Sequence, residues 1–261
     1  MTKLMGVVNV TPDSFSDGGL YLDPEAAIAH GLELIAAGAE ILDVGGESTR
    51  PGADPVDPEE ELRRVVPVVE GLRDAGAEIS VDTSKGPVAA AALEAGATIV
   101  NDVTALRGDP EMAPLCAERG ATVVLMHMLG KPRTMQDDPQ YGDVVAEVKA
   151  FLAERLAAAV TAGIAMEDVW LDPGIGFGKT GAHNMELLRR LGELRELGCP
   201  LVIGTSRKSF IGRLDGSGPG ERLGGTIASS VLAAAEGAEV LRVHDVAELS
   251  QALAVTAAIL G

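Results

Sequence analysis

The stretch Ala37-Gly38-Ala39-Glu40-Ile41-Leu42-Asp43-Val44 sets a pattern that the chain keeps returning to. Ala75-Gly76-Ala77-Glu78 runs into Ile79-Ser80-Val81-Asp82, and Ala95-Gly96-Ala97-Thr98 into Ile99-Val100-Asn101-Asp102. Arg119-Gly120-Ala121-Thr122 precedes Val123-Val124-Leu125-Met126, and Leu197-Gly198 precedes Leu201-Val202-Ile203-Gly204. Glu236-Gly237-Ala238-Glu239 leads into Val240-Leu241-Arg242-Val243, and Ala162-Gly163 before Val169-Trp170-Leu171 is a looser copy. In each case a glycine can end a helix in the left-handed conformation, and a short apolar strand follows.

With an opening run at Leu4–Val8, the pattern predicts strands at about 4–9, 40–45, 78–82, 98–101, 122–127, 169–172, 200–205 and 239–243. Helical periodicity lies between them, for instance over Pro24–Ala37, Pro58–Ala75, Asp143–Ala162 and Asn184–Leu197. The strands are nearly continuous apolar runs, as parallel strands covered on both faces should be. Eight βα units in 261 residues favour an α/β fold of the (β/α)8 TIM-barrel type, forming one domain over residues 1–261. A doubly wound open sheet is the alternative, because a strand count does not prove closure.

Composition narrows the class. Hydrophobic residues make up 46% and charged residues 23% of the chain, which describes a globule with ample core. A net charge of −18 supplies no basic field for nucleic acid, so an anionic substrate must be held by a local cluster of cations. Leu4–Val8 is too short for a signal peptide, and no apolar run approaches the roughly 20 residues of a membrane span. Cys116 and Cys199 stand in no ligand spacing and read as buried thiols suited to a reducing cytoplasm.

In a closed barrel the C-terminal strand ends form the working face. Those ends carry Asn9, Gly45-Gly46-Glu47-Ser48-Thr49-Arg50, Asp82, Asn101-Asp102, Met126-His127, Asp172, Ser206-Arg207-Lys208 and Arg242-Val243-His244. A single Asp at a strand end is by default a helix cap, as for Asp82 or Asp102 taken alone. Eight polar ends on one rim exceed what capping explains. Arg50, Arg207, Lys208, Arg242 and His244 suit a diphosphate or carboxylate, although surface ion pairing is an equal reading of Arg207. Asp82, Asn101, Asp172 and Lys208 suit the edge of a flat heterocycle with adjacent N–H and C=O groups.

Three further motifs bear on function. Asn9-Val10-Thr11-Pro12-Asp13-Ser14-Phe15-Ser16-Asp17-Gly18-Gly19 carries more donors and acceptors than a connecting loop needs. Asp172-Pro173-Gly174-Ile175-Gly176-Phe177-Gly178-Lys179 is glycine-rich but lacks the spacing of a nucleotide-binding P-loop. The 4 histidines show no tight metal spacing, so zinc is not expected. A Mg²⁺ that arrives with a diphosphate and touches one protein oxygen, such as that of Asn9, is easier to justify.

With these motifs placed, the chain resembles the dihydropteroate synthase family of pterin-binding enzymes from Met5 to about Val246. The resemblance rests on residues 9–19, Asp-Val-Gly-Gly-Glu-Ser-Thr-Arg-Pro-Gly at 43–52 and Ser-Val-Asp-Thr at 80–83. It continues through Asn-Asp at 101–102, Leu-Asp-Pro-Gly-Ile-Gly-Phe-Gly-Lys at 171–179, Ser-Arg-Lys-Ser at 206–209 and Arg-Val-His-Asp at 242–245. It implies condensation of (7,8-dihydropterin-6-yl)methyl diphosphate with 4-aminobenzoate to 7,8-dihydropteroate and diphosphate, in folate biosynthesis. It further implies inhibition by sulfonamides, a Mg²⁺ cofactor and a homodimer.

By the same resemblance Asp82, Asn101, Asp172 and Lys208 hold the pterin between Met126 and Phe177. Asn9 binds the metal, Thr49, Arg242 and His244 receive the diphosphate, and the aminobenzoate carboxylate meets Ser206 and the N-terminus of the following helix, while Arg50 and Arg207 count among the substrate-binding cations. Residues 11–19 and 47–53 would be closing loops, with Asp13 and Asp17 near a developing cation. Two departures stand out. Many relatives carry a segment ahead of the first strand, which bears on stability rather than the site. Thr205 replaces a different small or apolar residue, which suggests a slightly altered aminobenzoate pocket. Corrinoid-linked methyltransferases share the pterin half of this pattern but need no diphosphate subsite, and a pterin-binding paralogue without turnover is the non-enzymatic alternative.

Overall fold

The computed structural model describes residues 2–11, 23–48, 53–130 and 133–260. Its strands are β1 Lys3–Asn9, β2 Ile41–Gly45, β3 Glu78–Asp82, β4 Ile99–Asp102, β5 Thr122–Met126, β6 Val169–Asp172, β7 Val202–Ile203 and β8 Val240–Val243. All pair in parallel, in the order β6-β5-β4-β3-β2-β1-β8-β7. The ends of that order are joined by a parallel bridge between Leu171 and Leu201, and Leu171 N–H donates to Pro200 O at 2.9 Å. The sheet therefore closes into a barrel, and the open-sheet alternative falls.

Helices α1 Pro24–Ala36, α2 Pro58–Leu72, α3 Gly86–Ala95, α4 Met112–Arg119, α5 Val144–Thr161, α6 Gly181–Arg189, α7 Ser209–Asp215, α8 Leu223–Ala235 and α9 Val246–Leu260 alternate with the strands. Several start where an aspartate can satisfy the orphan amides of the first turn. Asp23 accepts from Glu25 N–H, Asp57 from Glu59 N–H, and Asp143 from Val145 and Ala146 N–H. At the opposite end, the junction glycines 38, 76, 96, 120, 163, 198 and 237 all have positive φ. Gly120 at φ 60° and Gly198 at φ 77° take the left-handed conformation that a side chain would oppose.

Two elements differ from the sequence pattern. The helix expected over Asn184–Leu197 is α6 followed by a separate 3-10 segment, Leu191–Leu197. Leu191, Leu194 and Leu197 recur every three residues, which is the repeat of a 3-10 turn rather than of an α-helix. The strand expected at 200–205 shortens to two residues. Pro200 has no N–H to donate at its start, and at its end Thr205 turns away to bond Ser230 of α8, Oγ to Oγ at 2.9 Å. Thr205 thus faces the helix layer.

Alternation along the strands sorts residues into two apolar layers. Leu4, Val8, Leu42, Val44, Ile79, Val81, Val123 and Leu125 point outward into the helices, within the main core. Met5, Ile41, Ile99, Val124, Val202 and Val240 point inward and fill the barrel floor with Trp170. Nearer the rim the inward positions become Asp43, Ser80, Asp82, Asn101 and Asp172, so the apolar filling stops below a polar chamber. Met5 is fully buried in the floor, and Met5→Ala should cost about 2–5 kcal/mol of stability, measured by urea denaturation.

Candidate active site

The chamber is organised by one guanidinium. Arg242 stands in register with Met5, a floor residue, yet its side chain reaches two carboxylates closer to the rim. Its Nε donates to Asp43 Oδ2 at 2.5 Å and its Nη2 to Asp82 Oδ2 at 3.0 Å. Asp43 has no solvent exposure, and its remaining acceptor capacity is used by Ser80 Oγ at 2.6 Å and Asn101 Nδ2 at 3.0 Å. Buried charge is tolerated only when paired and hydrogen-bonded in this way. Burial and the neighbouring Asp43 push the Asp82 carboxyl up to about 8, against the pull of Arg242, whose own value burial lowers and the carboxylates raise to a net increase.

On the far side of the chamber Asp172 ends β6, in register with Met126 of β5. Burial raises its carboxyl, opposed by the charge of Lys208 and by the Gly174 N–H, which donates to Oδ1 at 2.7 Å. Lys208 donates to the Ile175 carbonyl, and its ammonium lies 4.9 Å from the centre of the Phe177 ring. Burial pulls Lys208 down to about 8 although Asp172 acts to raise it. Phe177 packs against Met126, Met128, Met135 and Val103, an apolar wall beside these polar groups. Asp82, Asn101, Asp172 and Lys208, the four groups expected to hold a flat heterocycle, thus share one chamber with Met126 and Phe177.

The anion-directed residues divide differently from the expectation. His244 Nδ1 lies 3.0 Å from Ser206 Oγ, and the same oxygen accepts from His244 N–H at 3.2 Å. This joins the residue assigned to diphosphate with the one assigned to the aminobenzoate carboxylate. Arg207, at φ 55°, forms a two-pronged pair with Asp245 at 2.5 and 3.1 Å, so its ion-pairing reading is realised. Asn9 closes β1 in register with Gly45, next to Asp82. Among the described residues no cluster of three or more His, Cys, Asp or Glu could hold a metal by itself. A hard ion held by one neutral amide oxygen and otherwise by substrate oxygens fits that donor set. Asp13, Asp17, Thr49 and Arg50, with most of both closing loops, lie outside the described residues.

Some rim residues have purely local work. Asp102 accepts from Thr104 N–H, Thr104 Oγ and Leu106 N–H, which folds the loop after β4; it does not cap α4, whose N-cap is Glu111, so the helix-cap reading gives way to a local loop role. Asp82 makes no such cap. Both cysteines are buried and unpaired, as expected, and burial pushes Cys116 up to about 12. Other functional residues escaped the sequence reading. Asp43 was hidden inside an apolar strand, although it lies two residues before the rim glycine and therefore on the inward parity. Lys85, which bridges Glu47 and the fully buried Glu61, and Lys179 also went unassigned. Lys179 stands at the end of a glycine-rich run without P-loop spacing, and its sequence context carries no signal of its buried contacts.

A parallel barrel with a polar, partly dry chamber at its C-terminal rim defines an enzyme for a small flat substrate. The chain matches the family model described as pterin binding enzyme over residues 5–244, and it belongs to that family. It is 51% identical to the dihydropteroate synthase of Escherichia coli strain K12 over 258 residues, 98% of this chain and 91% of that protein. It superposes on the Yersinia pestis dihydropteroate synthase in complex with a sulfonamide drug with a TM-score of 0.96, at 45% identity, covering 99% of this chain and 94% of that one. The Xanthomonas albilineans enzyme in complex with 7,8-dihydropteroate gives a TM-score of 0.88 at 48% identity, covering 100% and 94%.

The raised Asp82 value has a consequence for stability. The folded chain holds this proton more tightly than an ordinary carboxyl at 3.8, so the contribution is present at low pH and is lost as pH rises through about 8. Asp82→Asn removes that loss while Asp43 still holds Arg242. The Tm of the variant relative to the parent should therefore be more favourable above pH 8 than near pH 5, as read by scanning calorimetry across pH.

Proposed function

We propose that the chain condenses (7,8-dihydropterin-6-yl)methyl diphosphate with 4-aminobenzoate, releasing diphosphate and forming 7,8-dihydropteroate. This is the activity for which its relatives of about half identity are named, over nearly their full length. The observation that carries the assignment to this chamber is the meeting of Asp82, Asn101, Asp172 and Lys208 beside the Met126–Phe177 wall. Two carboxyls, an amide and an ammonium match the alternating N–H and C=O edge of a pterin, and the wall matches its face.

The displacement is dissociative in this reading. The bond between the exocyclic methylene and the diphosphate oxygen breaks first, and the electron-rich dihydropterin shares the positive charge left on that carbon. The aminobenzoate nitrogen then attacks and loses a proton. An aromatic amine is neutral at pH 7, so no strong base is needed to activate it. Arg242 and His244, with Thr49 and Arg50, meet the charge that grows on the leaving diphosphate. Arg242 is fixed in advance by Asp43 and Asp82, so it needs little reorientation as that charge develops. Asp13 and Asp17 would stabilise the cation. Mg²⁺, held through Asn9, would supply further charge neutralisation on the diphosphate. Ser206 and the N-terminus of α7 would receive the aminobenzoate carboxylate, and a sulfonamide drug would take the same place.

A cytoplasmic homodimer completes the proposal. Two buried, unpaired thiols suit a reducing compartment, and no described helix is long and apolar enough to cross a membrane. The outer faces of α8 and α9 expose Leu232, Val255, Ile259 and Leu260, an apolar surface suited to a second copy. Sedimentation at equilibrium should give a mass of two chains.

The activity is tested by diphosphate release with Mg²⁺, with and without 4-aminobenzoate. Release that depends on or rises with aminobenzoate, together with dihydropteroate, is the expected result. Binding of the pterin without product would instead indicate the non-catalytic paralogue. Asp82→Asn should weaken pterin binding about threefold to tenfold, the range for one neutral hydrogen bond. His244→Ala should mainly slow diphosphate departure and lower kcat, and an equal loss of pterin affinity in both variants would contradict the division of roles.

A further inference from the structure

Behind the pterin-facing loop lies Lys179, the largest fully buried side chain among the described residues, at 1% exposure. Among the described residues its ammonium pairs with no carboxylate. It donates to the carbonyls of Gly174 and Phe177, each at 3.0 Å, and lies 2.8 Å from His127 Nδ1 and 3.4 Å from His127 O. An ammonium has three N–H groups to give, and three well-placed acceptors stand at 2.8–3.0 Å. The His127 ring must then be neutral and accept at Nδ1. Burial, aided by the Lys179 charge, pulls it down to about 3, while burial brings Lys179 itself to about 7.

The loop that Lys179 closes has no regular hydrogen-bond ladder of its own. Gly174, at φ 66°, sits so close to the end of β5 that a Cβ there would stand 1.9 Å from His127 O. Gln136 Nε2 donates to Gly176 O at 2.5 Å, and Tyr141 Oη donates to Gly178 O at 2.9 Å. With the Gly174 and Phe177 carbonyls turned back onto Lys179, the intervening Ile175 carbonyl accepts from Lys208, and the Phe177 ring lies beside the same ammonium. The Gly174 and Phe177 carbonyls are thus held from behind by Lys179, and the Ile175 carbonyl from the chamber side by Lys208.

We propose that Lys179 is a positioning residue for the pterin: by gathering the Gly174 and Phe177 carbonyls onto its ammonium, it orients the loop that holds Lys208 at the heterocycle edge. The inference rests on the reading of Asp172 and Lys208 as part of the pterin subsite. Lys179 meets Phe177 through its carbonyl and, among the described residues, bonds no side chain assigned to substrate, so its action runs through the backbone of residues 174–177. A phosphate-binding role, which the Gly178-Lys179-Thr180 sequence superficially suggests, is incompatible with an ammonium buried and saturated in this way.

The test measures binding of (7,8-dihydropterin-6-yl)methyl diphosphate to the parent chain and to Lys179→Ala, together with steady-state kinetics for both substrates. The variant should bind the pterin at least about tenfold more weakly, the loss expected when charge-assisted hydrogen bonds are removed, while the KM for 4-aminobenzoate stays within about twofold. Ethylammonium, small enough to enter the vacated space, should restore pterin affinity, whereas tetramethylammonium, which has no N–H, should not. A general loosening of the fold would instead lower kcat through a smaller active fraction and leave pterin affinity unchanged, and that result would overturn the proposal. Should Lys179→Ala not fold, the pair His127→Leu and His127→Asn carries the same test. The amide oxygen of asparagine can stand in for Nδ1 and should preserve affinity, whereas leucine should not, and equal affinity in the two would overturn the proposal. Absence of pterin binding by the parent chain would overturn the site reading itself.

Discussion

The pairing of Arg242 with Asp43 and Asp82 is the constraint on which the upper half of the barrel depends. A carboxylate in the middle of a buried strand is costly by itself, and so is a guanidinium rooted at the barrel floor. Together they are stable only because Ser80 and Asn101 complete the acceptor shell of Asp43 and because Asp82 takes the second arm of Arg242. Four strands, β2, β3, β4 and β8, therefore meet through side chains as well as through the sheet. The same contacts that secure the barrel also fix the residues that line its mouth.

This arrangement explains why the chamber is chemically poised. Asp43 is wholly committed to structure, which leaves Asp82 as the more accessible partner of Arg242, with its carboxyl raised to about 8. Lys208, across the chamber, is lowered to about 8 by the same scarcity of water. Groups whose charge is this sensitive to their surroundings respond strongly to a ligand that brings donors and acceptors of its own. The opposing wall of Met126, Met128, Met135 and Phe177 contributes shape without charge, suited to the face of a ring.

The rim also shows that polarity at a strand end has several causes. Asp102 and Asp82 end adjacent strands and look alike in sequence, yet one folds its own loop and the other faces the chamber. Arg207 and Arg242 both carry guanidinium groups near the rim. Arg207 is matched by Asp245 three residues beyond Arg242 in the chain, whereas Arg242 bridges residues far away in sequence. Lys179 and Lys208 flank one glycine-rich loop, the first from behind and the second from the chamber side. Inward or outward parity on the strand, rather than residue type, separates Asp82 from Asp102, and for the arginines and lysines the partners that the loops bring up separate them.

The repeated glycine junctions were enough to determine seven of the eight strands, with the opening apolar run supplying the first, because a left-handed helix end followed by a short apolar run is a local event. The rim residues were legible for the same reason, since each lies at the end of its own strand. Closure was not local. It depends on Leu171 meeting Leu201 after the whole sheet has curled, and no single segment encodes that contact. The break within the expected 184–197 helix was visible only as a three-residue leucine spacing that α-helical periodicity obscures. Asp43 and Lys179 were harder still, because their sequence neighbourhoods read as an apolar strand and a failed nucleotide motif. Their roles arise from partners 37 to 199 residues away, and in the case of Lys179 from the carbonyls that a tight loop turns toward it. The sequence by itself determined the elements and the chemistry at their ends; the tertiary structure decided which charges share a dry space, because burial and pairing exist only once distant strands have come together.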